Sequence, residues 1–237
     1  MTAAVDIAAN AAQVLGRIAR AASRASRESK SVRLVAVTKT FPAESIIQAY
    51  KCGLRDFGEN RVQEFQQKLP HLKLPEATFH LIGHLQSNKV QPAMAFDWVQ
   101  TVDSERLARR LHDAAAAANK SLPVLIEVKL GEEDAKTGVT EQEAERLAAF
   151  IRSQDRLELR GLMTMPPFTE DPEGAQPYFR RLRQLRDRLQ EAGFQHVREL
   201  SMGMSHDFEV AIEEGSTIVR VGTAIFGPRT TKLLPPT

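Results

Sequence analysis

Short runs rich in β-branched and aliphatic residues recur along the chain at nearly regular intervals. They are VRLVAVTK (32–39), LRDFGE (54–59), TFHLIG (78–83), DWVQTV (97–102), PVLIEVKL (123–130), LELRGLMT (157–164), VRELSM (197–202) and STIVRVG (216–222). Runs of this length, several of them apolar on both faces, suit the strands of a parallel sheet covered by helices. The stretches between them carry helix signals. Pro42 suits a first helical position, Asp103 can N-cap SERLARRLHDAAAAANK, and Thr140 with Glu143 makes a capping box ahead of AERLAAFIRS. Gly193 supplies a stop for AQPYFRRLRQLRDRLQEAG.

About eight strand–helix units follow one another without a linker or a shift in composition. This predicts one α/β domain over residues 1–237, a single (β/α)8 or TIM barrel. A doubly wound open sheet would be expected to carry a glycine-rich turn after its first strand, and TKTFPAES contains no glycine. Ahead of the first strand, residues 1–29 place Val5, Ala8, Ala12, Leu15, Ala19 and Ala22 at helical spacing. The expectation is an extra N-terminal helix docked by that narrow face. The segment's Ala, Ser and Arg content is that of a transit peptide, but no basic residue precedes Arg17.

Composition narrows the function classes. Apolar residues make up 42% of 237, enough for a large core, and the net charge is only +2. Acids and bases are interspersed, which argues against a nucleic-acid groove or a membrane patch. No apolar run approaches the ~20 residues of a membrane span. The single cysteine, Cys52, is expected on the buried side of a helix end and suits a reducing, cytoplasmic compartment.

A barrel keeps its site at the C-terminal ends of its strands, often with phosphate held after strands 7 and 8. Those strands run into SMGMSHD and GTAIFG, turns of small and hydroxyl residues that lead at once into helices. Such turns offer backbone N–H groups to an anion, and Ser201, Gly203, Ser205, Gly222 and Thr223 are the candidates, although Ser205 by itself reads as a helix cap. Arg220 interrupts the apolar run TIVRVG and must face away from Val219 and Val221. Burying it requires either a structural salt bridge or a ligand acceptor. Closing the barrel sets strand 8 beside strand 1, which ends on Lys39. A lysine near a second cation and partly out of water has a lowered pKa and can act as a nucleophile. Lysine with a phosphate cradle indicates a Schiff base to a phosphorylated carbonyl compound. That leaves a sugar-phosphate aldolase, which Glu127 and Lys129 could serve, or a pyridoxal phosphate protein. His80 and His84 read as structural, and no cluster has metal-ligand spacing.

Seven ordered stretches, AVTKT, DFGENRVQE, HLIGHLQSNK, LIEVKLGEEDAKTGV, RGLMTMPP, LSMGMSHDFEVAI and STIVRVGTAIFG, resemble the pyridoxal phosphate homeostasis protein family from about Val32 to Arg229. The resemblance implies a barrel like the N-terminal domain of alanine racemase, without the racemases' C-terminal β-domain. It also implies pyridoxal 5′-phosphate as cofactor, held as a Schiff base on Lys39. Ser201, Gly222 and Thr223 would hold the phosphate, Arg220 would face the pyridine nitrogen, and Asn60 would lie on the cofactor's polar edge. Met165 and Ile82 are equally suited to pack on the ring or to serve as core.

Arg does not give up its proton, so it would donate to an unprotonated ring nitrogen and blunt the cofactor's electron withdrawal. The second base of the racemases comes from their added domain and a partner subunit, and this sequence stops at Thr237. The expected role is therefore intracellular vitamin B6 homeostasis, with cofactor delivery to apo-enzymes as one route, carried out by a monomer without a committed catalytic activity. The alternative is a pyridoxal phosphate-dependent amino-acid racemase or another enzyme of the same fold type.

Overall fold

Each apolar run supplies one strand of a parallel barrel in the computed structural model, which describes residues 5–131 and 137–228. The strands are β1 (Arg33–Val37), β2 (Asp56–Glu59), β3 (Thr78–Leu81), β4 (Trp98–Val102), β5 (Leu122–Glu127), β6 (Leu157–Met163), β7 (Glu199–Ser201) and β8 (Ile218–Val221). Each pairs with the next, and β8 returns to β1 with Val35 opposite Arg220 and Ala36 opposite Val221. The ladders are shorter than the apolar runs. The last residues of several runs, Lys39 among them, leave the sheet to build the loops at the C-terminal end.

Alternation along the strands sorts the side chains into two layers. Leu34, Ala36, Phe57, Leu81, Val99, Ile126, Leu162, Val219 and Val221 belong to the large core between barrel and helices. Val35, Leu125, Met163 and Ile218 form a separate small cluster inside the barrel, with Trp98 packed on it. Polar interior side chains, including Gln100, Ser201, Glu127 and Arg220, are buried as well.

The helices are α1 (Ile7–Arg24), α2 (Ala43–Lys51), α3 (Val62–Lys68), α4 (Val90–Ala93), α5 (Glu105–Ala117), α6 (Glu141–Arg152), α7 (Gln176–Glu191), α8 (Phe208–Glu213) and α9 (Thr223–Phe226). The Thr140–Glu143 capping box is present, and Gly193 follows α7 with φ 92°. Asp103 is not the cap of α5. Ser104 is, its hydroxyl accepting from the Leu107 N–H, while Asp103 accepts from Ser104 Oγ and faces His84. No helix among the described residues is long and apolar enough to cross a membrane.

Two expectations fail at the outer layer. α1 buries Ile7, Ala11, Val14, Ile18, Ala21 and Ala22, whereas Val5 and Leu15 are 46% and 44% exposed. An alanine-rich helix offers two apolar stripes about one residue apart, and the one holding both isoleucines removes more apolar area from water. That stripe packs against α2, α8 and α9, aided by Arg17–Glu209 and Arg24–Glu213 ion pairs and by the Asn10 amide donating to the Ile225 carbonyl. Cys52 is exposed, because the buried face of α2 is Ala43, Ile46 and Ala49, and Cys52 caps the helix off that stripe.

Candidate functional site

β8 brings a guanidinium into the barrel. Arg220 is 3% exposed, donates to Ser201 Oγ at 2.7 Å and to the Thr164 carbonyl at 2.9 Å, and has no carboxylate within ion-pair distance among the described residues. Burial pushes its pKa down to about 10, against the attraction of Asp207 and Glu127, so it is still a cation at neutral pH. Both of its hydrogen-bond acceptors are neutral, and a guanidinium with five N–H donors can still donate to a ligand.

Beyond Arg220 the strand ends at Gly222 and α9 begins. The Gly222 and Ala224 N–H groups both point at Ser205 Oγ, at 3.2 and 3.4 Å. Ser205 reaches them from the β7–α8 turn, in which Gly203 has φ 90° and the Met204 N–H donates to Asp207 at 2.6 Å. A Cβ built on Gly203 would stand 2.5 Å from that of Ala211, so the turn is closed to larger residues. Thr223 is exposed beside these amides. The result is two convergent N–H groups and two hydroxyl side chains at one corner, the donor set an anionic oxygen needs.

Ser201 is elsewhere. Its hydroxyl is fully buried, accepts from Arg220 and donates to Gln100 Oε1 at 2.6 Å. Ser205, and not Ser201, is the hydroxyl that meets the Gly222 and Ala224 amides. Gly222 lies against β1, since a Cβ there would come 3.3 Å from Val37 Cβ. Lys39, two residues beyond Val37, is half-buried at the head of the turn that follows β1. Asn60 follows β2 and packs on Gly83, where its side-chain oxygen is 2.5 Å from any Cβ that glycine could carry. It lines a polar groove with His84 and Gln86. Ile82 is buried near Gly58 inside the barrel, and Met165 is 48% exposed at the rim.

Further polar groups line the interior beside the expected binding residues. Glu127 is buried, donates nothing, accepts from Thr137 Oγ1 at 2.8 Å, and burial raises its pKa. Gln100, His80 and Asp56 extend the hydrogen-bonded line from Ser201 through the interior, at 3.0 Å for each link. Burial lowers the pKa of His80 despite the Asp56 carboxylate. Asp56, His80 and Glu127 lie in stretches that carry the family resemblance, but their hydrogen-bond partners are not apparent from the sequence, and Gln100 lies outside those stretches. Among the described residues no group of His, Cys, Asp and Glu could hold a metal ion.

The amides of Gly222 and Ala224, the Arg220 guanidinium and the Lys39 turn thus come from the adjacent strands β8 and β1. Known proteins give this arrangement a context. The alanine racemase N-terminal domain family matches residues 13–230. A pyridoxal phosphate homeostasis protein of Aquifex aeolicus (strain VF5) is 45% identical over 218 residues, covering 92% of this chain and 96% of the relative. Its namesake in Escherichia coli (strain K12) is 43% identical over 233 residues, covering 94% and 97%. PipY of Synechococcus elongatus PCC7942, solved with PLP bound, superposes with a TM-score of 0.84 at 38% identity, over 94% of this chain and all of PipY.

Proposed function

Because the chain belongs to the pyridoxal phosphate homeostasis proteins, on an alanine racemase N-terminal domain, we propose that it holds pyridoxal 5′-phosphate and serves vitamin B6 homeostasis as a carrier. Lys39 supplies the amine for the covalent linkage. Ser205, Thr223 and the N–H groups of Gly222 and Ala224 hold the phosphate, and Arg220 donates to the ring nitrogen. Asn60 lies along the polar edge, and Ser201 acts through Arg220, which it orients. The observation that carries this reading is a buried guanidinium with only neutral protein partners, one strand turn from a pair of convergent amides.

When bound, the cofactor supplies an electron sink whose strength depends on protonation of its ring nitrogen. Arg220 holds its proton at neutral pH and so offers that nitrogen a hydrogen bond and no proton. This arrangement favours retention of the cofactor over turnover of amino acids, and we place the role in the cytoplasm, with release to apo-enzymes.

Titrating pyridoxal phosphate into cofactor-free protein should produce the visible absorbance of a lysine-bound pyridoxal in the wild type and not in Lys39→Ala. The loaded wild type should neither racemise nor decarboxylate any member of a panel of amino acids. The same absorbance in Lys39→Ala defeats the site assignment, and steady turnover of one amino acid defeats the carrier role.

A further inference from the structure

The residues on either side of Lys39 are held by a buried cluster of charges. Thr38 donates its hydroxyl to Glu59 Oε1 at 2.7 Å, and its carbonyl accepts from Lys68 Nζ at 3.0 Å. The Thr40 N–H donates to Glu64 Oε1 at 2.6 Å. Lys68 ties the two carboxylates together, at 2.7 Å to each. Glu59 is fully buried and Lys68 is 8% exposed. Thr40 has φ 69°, a left-handed backbone that a β-branched residue adopts only under constraint.

A buried carboxylate–ammonium–carboxylate group is an uneconomical way to stabilise a barrel, since apolar side chains of like volume generally do as well. What this one does specifically is fix the backbone immediately before and after one lysine. A lysine side chain has four rotatable bonds, so the reach of its amine is only as well defined as the turn that bears it. Misplacement of a reacting group by about 1 Å can cost orders of magnitude.

We propose that Glu59, Lys68 and Glu64 are positioning residues for Lys39: they clamp its turn so that the amine meets the carbonyl of the ligand held by Arg220 and the amide pair. The inference rests on Lys39 being the cofactor anchor. It predicts that loosening the clamp weakens covalent attachment and leaves non-covalent recognition intact.

The test compares two ligands on the full chain: pyridoxal 5′-phosphate, and pyridoxine 5′-phosphate, which has an alcohol in place of the aldehyde and cannot bond to an amine. Glu64→Ala, at the half-buried edge of the cluster, should weaken pyridoxal phosphate binding about tenfold and lower the fraction trapped on Lys39 by borohydride. Pyridoxine phosphate affinity should stay as in the wild type, and the Thr40 amide should exchange faster with deuterium. Glu64→Gln keeps an acceptor for Thr40 and Lys68 and should restore most of the loss. Lys68→Met is the second arm and should act like Glu64→Ala; if it does not fold, the Glu64 pair decides alone. Equal weakening of both ligands, or of neither, overturns the clamp. Wild-type trapping on a lysine other than Lys39 overturns the anchor assignment instead.

Discussion

Arg220 can only donate hydrogen bonds, and that settles the protons along the whole interior line. Ser201 must accept from Arg220, so its own hydrogen goes to the Gln100 oxygen. The Gln100 amide then faces His80 Nδ1, which leaves the imidazole proton on Nε2 toward Asp56. Every bond points from the cation to the carboxylate, and His80 is neutral in this arrangement. Burial depresses its pKa, so the unfolded chain takes up its proton first on acidification. The stabilisation from neutral His80 is complete above the ordinary value of 6.5 and is eroded as the pH falls below it toward the lower folded value.

Wild type should therefore lose more unfolding free energy than His80→Gln between about pH 7.5 and 5.5, by up to about 1.4 kcal/mol per pH unit. Glu59 and Glu127, whose raised pKa values act in the opposite sense, are common to both proteins and cancel. Parallel losses in urea denaturation would contradict a buried neutral imidazole. Lys39 and Arg220 were legible in the sequence because each is out of place in an apolar run. His80 read correctly as structural, whereas Gln100 was not legible, since it becomes meaningful only beside His80 and Ser201, 20 and 101 positions away. Ser201 and Ser205 could not be told apart either. Which of two hydroxyls on one turn faces inward depends on where the strand stops.

The elements themselves were the most legible feature, because both layers of a parallel barrel strand are covered and the apolar runs stand out. Their ends were less so, as at Asp103, where the neighbouring serine has the better reach to the Leu107 N–H. The N-terminal helix shows the limit of periodicity. Spacing alone permits either the Val5–Leu15 stripe or the Ile7–Ile18 stripe, and only the partner surface on α8 and α9 selects the second. Ile18→Ala should cost about 2–4 kcal/mol in urea unfolding. Leu15→Ala, on the exposed stripe, should cost no more than about 0.5 kcal/mol. Comparable costs at the two positions would mean that α1 docks by another face.

At the scale of the whole molecule, closure of β8 on β1 is what makes a site. It carries residues from 39 to 224 to one end of one barrel, with Lys39 on the first strand's turn and the Gly222 and Ala224 amides after the last. The order of units announced that closure, and the rule that barrels keep their chemistry at the C-terminal ends of strands points to the loops at that end. Side-chain direction at the strand ends, and the Glu59–Lys68–Glu64 cluster beneath the Lys39 turn, required coordinates. The claim that depends on all of this is that one lysine of the chain carries the cofactor. The direct measurement is borohydride reduction of the loaded protein followed by peptide mass mapping. A phosphopyridoxyl group on the peptide containing Lys39, at one per chain, is the predicted result. A label on Lys129, or none at all, would contradict it.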